Sequence, residues 1–241
     1  MFELKKIEAE WRARMHKALN FDGVDDYVDT NALRTDLGIT TEYTIAVWFK
    51  LSIASGEWQT VIGDWGDPGA GRTAHLGIHE RSNIIDNYVY LNSKQYHVSS
   101  GIVAQEGVWY HVVSTLKIGT SFEIYINGEL KGSTDLSGTT SFTDSPTHTF
   151  KIGNRGDGRN NFKGTIGEVC IYNRALSESE IKYLYHNPFD PIDPEHLVLW
   201  LNPAGIDVAN SKWWDLSGKG NHGTIYGATE VKLVEDEVIV K

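Results

Sequence analysis

Cysteine occurs once in the 241 residues, at Cys170, so no intrachain disulfide framework staples this chain. Nothing approaches about 18 consecutive apolar residues, which excludes a helical membrane span. The net charge is −10 and no Lys/Arg run interrupts it, so the clustered basic surface that nucleic acid requires is missing. Residues Met1–Glu10 contain no continuous apolar stretch and do not read as a secretory leader. The expectation is a protein made in a cytoplasm, reaching the outside, if at all, by a route such as lysis. Catalytic signatures are missing as well. There is no Glu-x-Asp-x-Glu or Glu-x-Asp-x-x-Glu, no Gly-x-Ser-x-Gly elbow, no Cys/His nucleophile pair and no transition-metal spacing. Glu123 and Glu129 flank a turn on different strands, and Glu178 and Glu180 read as a solvated helix face. No enzyme is expected.

What is present points to strands joined by tight turns: 11% aromatic residues, 8 Trp and 24 Gly. The length suffices to bury a core without staples. Leu4, Ile7, Trp11 and Met15 form one apolar stripe and predict an amphipathic helix over 2–17. From Ala18 onward the pattern has period two. Glu42–Leu51 places Ile45, Val47, Phe49 and Leu51 on one face, with Ala46 and Trp48 on the other. Val108–Leu116 and Thr120–Asn127 alternate likewise, and Asn127-Gly128 makes a hairpin turn. Further strands are expected at 59–65, 72–79, 87–92, 148–153 and 163–173. A short helix is expected over 177–186, where Ser177 and Glu180 form a capping box. Three prolines within Pro188–Pro194 make a stiff connector. The predicted organisation is a docking or assembly helix (1–17), a sandwich (18–186), a connector (187–195) and further strands (196–241).

Several segments resemble one family. They are Ala18–Val28, Glu42–Lys50, Gly107–Val112 with Glu123–Gly128, and Phe162–Leu176 with the helix after it. They are similar to the laminin G-like domains of the concanavalin A-like lectin/glucanase superfamily. The resemblance implies an all-β, two-sheet antiparallel jelly-roll sandwich. It leaves function open, since this fold hosts lectins, glycosidases, adhesins and structural modules. Leu197–Leu201 and Trp214–Ala228 resemble strands that open the family's domains, yet here they come last. Three readings stand: closure on the same chain, completion of a neighbouring subunit, or the start of a truncated second copy. Leu197, Leu199, Trp200 and Trp214 need cover in each.

The resemblance also implies a structural calcium ion held by oxygen ligands. The matching positions are Asp22, the carbonyl of Gly23, Glu168, and the carbonyl of Asn202 or Pro203. The competing reading makes Asp22, Asp25 and Asp26 turn formers and Glu168 a surface strand residue. Sugar binding calls for exposed rings. Trp48, Trp109 and Tyr172 occupy family core positions, whereas Trp58, Trp65, Tyr88, Tyr90 and Tyr96 have no such duty. Trp65 stacking a sugar, with Asp64, Asp67 or Arg72 bonding its hydroxyls, is the candidate ligand site. Packing against the N-terminal helix or a partner subunit explains the same residues. Asp215–Gly223 reads as a tight turn rather than a phosphate loop, and Arg155-Gly-Asp157 as a polar hairpin loop. Two functional readings follow. One is a non-enzymatic, lectin-like attachment or structural protein of a virus particle (capsid decoration, tail or fibre). The other is a calcium-stabilised carbohydrate-binding module of a larger secreted adhesin or glycosidase. Expected partners are a glycan or other subunits, with homo-oligomers expected and neither nucleic acid nor membrane.

Overall fold

The structure, a computed structural model, describes residues 16–54, 56–66, 72–143 and 145–233. The helix predicted over 2–17 lies almost entirely outside them. Its last residue, Lys17, instead begins a strand. Sixteen strands follow in chain order: β1 (Lys17–Asp22), β2 (Tyr27–Asp29), β3 (Glu42–Leu51), β4 (Gln59–Gly63), β5 (His75–Ile78), β6 (Ile84–Leu91), β7 (Lys94–Val103) and β8 (Trp109–Lys117). The remainder are β9 (Ser121–Ile126), β10 (Glu129–Asp135), β11 (Lys151–Ile152), β12 (Lys163–Tyr172), β13 (Leu197–Asp207), β14 (Lys212–Asp215), β15 (Gly223–Tyr226) and β16 (Thr229–Lys232). One helix, α1 (Glu178–His186), separates β12 from β13. The protein is all-β, as its sequence predicts. No described helix is long and apolar enough to cross a membrane.

Every described strand pair is antiparallel. One hydrogen-bonded path runs β10-β9-β8-β3-β12-β13-β14-β15-β2-β11-β4-β5-β6-β7, with β1 and β16 off it. The sequence predicts two sheets. The ladder is instead continuous, because β13, β14 and β15 carry hydrogen bonding from β12 round to β2. The path curls over a main apolar core that draws on both of its halves, giving a sandwich-like body. Tyr43, Ile45, Val47 and Phe49 of β3 meet Val61, Ile62, Leu76, Ile85 and Val89 of β4–β6.

β3 is buried on both faces, and its period of two sorts the side chains. Its odd-numbered residues enter the main core, while Ala46 packs in a second cluster with Leu184 of α1 and Trp48 in a third with Trp109. A bulge between Ile166 and Glu168 resets the phase of β12, putting Glu168 on the same side as Cys170. The capping box forms: Ser177 accepts from the Glu180 amide and Glu180 reaches back to the Ser177 amide. Arg174 ties this corner together, donating to Glu180 and to Asp193 of the connector.

The C-terminal strands lie against the strands that precede them in the same chain. Cys170 of β12 is opposite Trp200 of β13, and Val28 of β2 is opposite Ile225 of β15. Leu199, Leu201, Trp213 and Ile225 join the main core, each contributing roughly 1.5–3 kcal/mol by leaving water. One assignment reverses. Trp213 is fully buried, its indole N–H donating to the Asn202 carbonyl at 2.7 Å, while Trp214 is 40% exposed. Alternation in β14 admits one of two adjacent tryptophans to the core.

Candidate functional site

Strands β4 to β7 carry a concave surface, and on it lies a cavity of about 290 Å³. Its walls are aromatic: Trp58 just before β4, Trp65 just after it, His75 on β5 and Tyr88 on β6. Polar side chains rim it, with Glu80 from the β5–β6 turn, Gln95 from β7 and Arg155 from the loop after β11. β4 and β5 approach so closely here that a Cβ on Gly77 would sit 2.2 Å from the Gln59 carbonyl, so only glycine fits.

The rings hold one another in place. The Trp58 indole donates to Nδ1 of His75 at 3.0 Å, so that nitrogen is the acceptor, and Nε2–H then faces Thr60 Oγ1 at 2.7 Å. His75 is buried, and desolvation lowers its pKa to about 3, with the Arg155 charge adding to the effect. It is a neutral spacer at any physiological pH. Trp65 stacks on His75 with centroids 5.6 Å apart, and Tyr88 meets Trp58 edge-on at 5.5 Å and stacks on His97 at 4.4 Å. Burial raises the Tyr88 hydroxyl to about 12, so it stays a neutral donor. Arg155 is aligned by Asp157, which accepts from its Nε at 2.8 Å. Such a chamber offers apolar ring faces with fixed donors and acceptors at their edges, the combination that recognises a sugar's C–H faces and hydroxyls.

Of the four ligand-binding residues expected from sequence, Trp65 lines the chamber, but it is 8% exposed and not the open ring expected, because it packs on His75 and Tyr88. Arg72 lies close, its guanidinium 5.9 Å from the Trp65 ring and 3.5 Å from that of Tyr90. Asp64 points elsewhere. It is wholly buried, its Oδ1 accepting from the Thr73 and Ala74 amides at 2.8 and 3.0 Å, and desolvation raises its pKa. It ties the end of β4 to Thr73 and Ala74 and has no oxygen for a ligand at the surface. Asp67 lies outside the described residues. Glu80, Gln95, His75, His79 and Arg155 were not expected. A further positioning residue is the buried Asn87 on β6. Its Oδ1 accepts from the His75 and Tyr88 amides, and its Nδ2 crosses the core to Ser114 on β8 at 2.8 Å.

Of the four residues matched to calcium, Glu168 and Asn202 sit on adjacent strands, one step past the Val169–Leu201 pair, but Asp22 and Gly23 lie away from them. Asp22 stands opposite Lys163 on β12, five residues from Glu168, roughly 16 Å at strand rise. Glu168 is buried beneath α1 and the connector, accepting from the Trp200 indole at 2.8 Å. The Asn202 carbonyl is taken by Trp213, and its Oδ1 accepts from the Ala204 amide at 2.9 Å. These oxygens make no cation cage. Asp22, Asp25 and Asp26 do gather within 4.8 Å. Asp26 accepts from the Asp22 amide and Asp22 from the Val24 amide, which is the turn-forming arrangement.

The chain belongs to the concanavalin A-like lectin/glucanases superfamily, its laminin G-like family model matching residues 22–182. Among individual proteins, it is 26% identical over 159 residues to zebrafish (Danio rerio) adhesion G-protein coupled receptor V1, across 62% of this chain and 2% of that one. A candidate carbohydrate binding protein from Bacteroides ovatus has the same fold (TM-score 0.65, 21% identity, 91% of this chain and 60% of that one). So does domain 4 of AbnA, an extracellular GH43 arabinanase of Geobacillus stearothermophilus, solved with arabinotriose (TM-score 0.51, 20% identity, 70% and 76%).

Proposed function

We propose that this domain is a non-enzymatic carbohydrate-binding module and that its sugar sits in the Trp58–Trp65 chamber. The observation that carries this reading is the pre-set aromatic wall. Trp58, Trp65 and Tyr88 are fixed by ring contacts and by the His75 relay, so little side-chain entropy remains to be lost on binding. Binding rather than cleavage is favoured by the rim. Among the described lining residues Glu80 is the sole carboxylate, whereas glycoside hydrolysis uses two flanking the scissile bond. The arabinotriose bound by the AbnA domain supports a glycan as ligand class. Glycan attachment needs this chamber alone, whether a virus particle or a larger secreted protein carries it.

A glycan array probed with the whole chain tests the reading. Retention of at least one neutral glycan is expected, and Trp65→Ala should abolish it. An array with no bound glycan, or equal retention by the variant, refutes the assignment.

A further inference from the structure

A second cavity, of about 440 Å³, lies on the far side of Trp58, lined by Glu57, Gln59, Asn160, Asn161 and Lys163. Trp58 and Glu80 line both cavities, so the two adjoin at a waist formed by that indole. We propose that the ligand is an uncharged oligosaccharide of three or more units laid across Trp58, with one part in each cavity. This rests on the reading that the Trp65 chamber holds sugar.

The two halves differ in a way that suits a chain. The first is walled by rings and gives a stacking platform. In the second, Trp58 is the single ring among the described lining residues, and the other side chains are hydrogen-bonding groups. One end of the ligand is therefore gripped by its faces and the other by its hydroxyls. The second wall is also built rather than casual. Gln59 is buried and spent on structure, Nε2 donating to the Ile53 carbonyl and Oε1 accepting from the Lys163 amide, both at 2.8 Å. The Thr60 amide pins the 159–161 loop through the Asn160 carbonyl at 2.8 Å, and the Asn161 carboxamide donates to the Val24 carbonyl. Three separate lining segments, at 23–24, 57–60 and 160–163, are thus tied into one rim. Size agrees: ligand clefts run about 300–1,000 Å³, and the first cavity alone falls at the bottom of that range.

Charge at the waist disfavours acidic sugars. Glu80 stands there and Glu57 beyond it, both exposed, whereas Lys163 lines the second cavity and Asp157 pairs with both Arg155 and Arg159. A sugar hydroxyl donates to Glu80, whereas a sugar carboxylate there is repelled.

Calorimetry on the whole chain with neutral linear arabino-, xylo-, manno- and cello-oligosaccharides of one to six units tests this, with oligogalacturonates as the charged series. Affinity for a bound series should rise about tenfold from two to four units, equivalent to about 1.4 kcal/mol, and then level off. Galacturonates should bind at least tenfold more weakly. With Glu57→Ala and Lys163→Ala combined, the ratio of long-chain to short-chain affinity should fall towards one. A length-independent affinity, an unchanged ratio in that variant, or a preference for galacturonates overturns the proposal and leaves the chamber standing. If no neutral sugar binds, or Trp65→Ala binds as the parent does, the chamber reading falls and this proposal with it.

Discussion

Two regions of the molecule bring together a tryptophan, a histidine and a glutamate. On β4–β6 they are Trp58, His75 and Glu80. On β3, β8 and β12 they are Trp48, His111 and Glu168. The ring pairs are about equally close, with centroids 4.7 Å apart for Trp58 and His75, which meet edge-on, and 4.9 Å for Trp48 and His111, which are tilted. Burial lowers both imidazoles to about 3. Yet the first group borders a cavity of about 290 Å³ and the second one of about 10 Å³. Cover makes the difference. Leu184 of α1 and the connector residues Asn187, Phe189, Asp190 and Pro191 close the second group, while solvent reaches the first. Residue type and spacing therefore do not define a binding site here; access does. In the closed group the same chemistry becomes a stability device.

The largest test removes the scaffold of the closed group. Ending the chain after His196 deletes β13 to β16 and with them Trp200, which bonds Glu168, and Leu199, Leu201 and Trp213 of the core. Loss of soluble folded protein is expected by size exclusion and circular dichroism. A cooperative, soluble monomer would show that these strands are dispensable.

A matched pair of substitutions comes next. Trp48→Ala should cost about 3–5 kcal/mol of stability, as for a large buried side chain, and leave glycan affinity alone. The half-buried Trp58 should behave the other way, Trp58→Ala costing glycan affinity at least about tenfold with a smaller loss of stability. Equal binding defects would erase the distinction between the regions.

The pH dependence of Glu168 separates them more finely. Burial pushes its carboxyl up to about 7 from an ordinary 4.5, against the pull of its hydrogen bonds from Trp200 and the Phe189 backbone. The folded state thus disfavours the ionised form. Its contribution to stability is complete below about pH 4.5, declines as the pH rises towards 7 and does not return above it. His75 and His111, lowered from 6.5, act in the opposite sense: their contribution is complete above 6.5 and shrinks as the pH falls towards 3. The opposing slopes blur the parent's curve, so the difference from Glu168→Gln is the useful quantity. The variant should gain on the parent between pH 4.5 and 7, by up to about 3 kcal/mol. A pH-independent difference contradicts the buried, raised carboxyl.

The smallest expected effect is none. With Asp22 away from Glu168 and Asn202, and the oxygens of those two engaged by Trp200, Trp213 and Ala204, excess chelator should leave the melting curve in place. A fall in melting temperature would put a cation in the Asp22–Asp26 turn instead.

Local pattern carried much of the fold. Alternation in Glu42–Leu51 sorted the two faces of β3, and the Ser177–Glu180 spacing marked the start of α1. β7 escaped because Lys94–Val103 is a polar strand with weak alternation. Trp65 was legible from its glycine-rich surroundings, and Trp58 and Tyr88 as rings without a core duty. The rest of the chamber was not. His75, Gln95 and Arg155 come from separate segments with no mutual spacing, and strand pairing alone assembles them. Asp64 misled because a loop carboxylate looks the same whether it meets solvent or two backbone amides. Glu168 misled because a bulge in β12 turned it beneath α1.

The register that pairs Lys17 with Lys232 has a mechanical consequence. β1 enters and β16 leaves side by side and antiparallel, so tension between the two ends loads their ladder one rung at a time. The seam unzips from Lys17 and Lys232 towards Asn20 and Thr229 instead of shearing all at once, and the exposed β16 yields at low force.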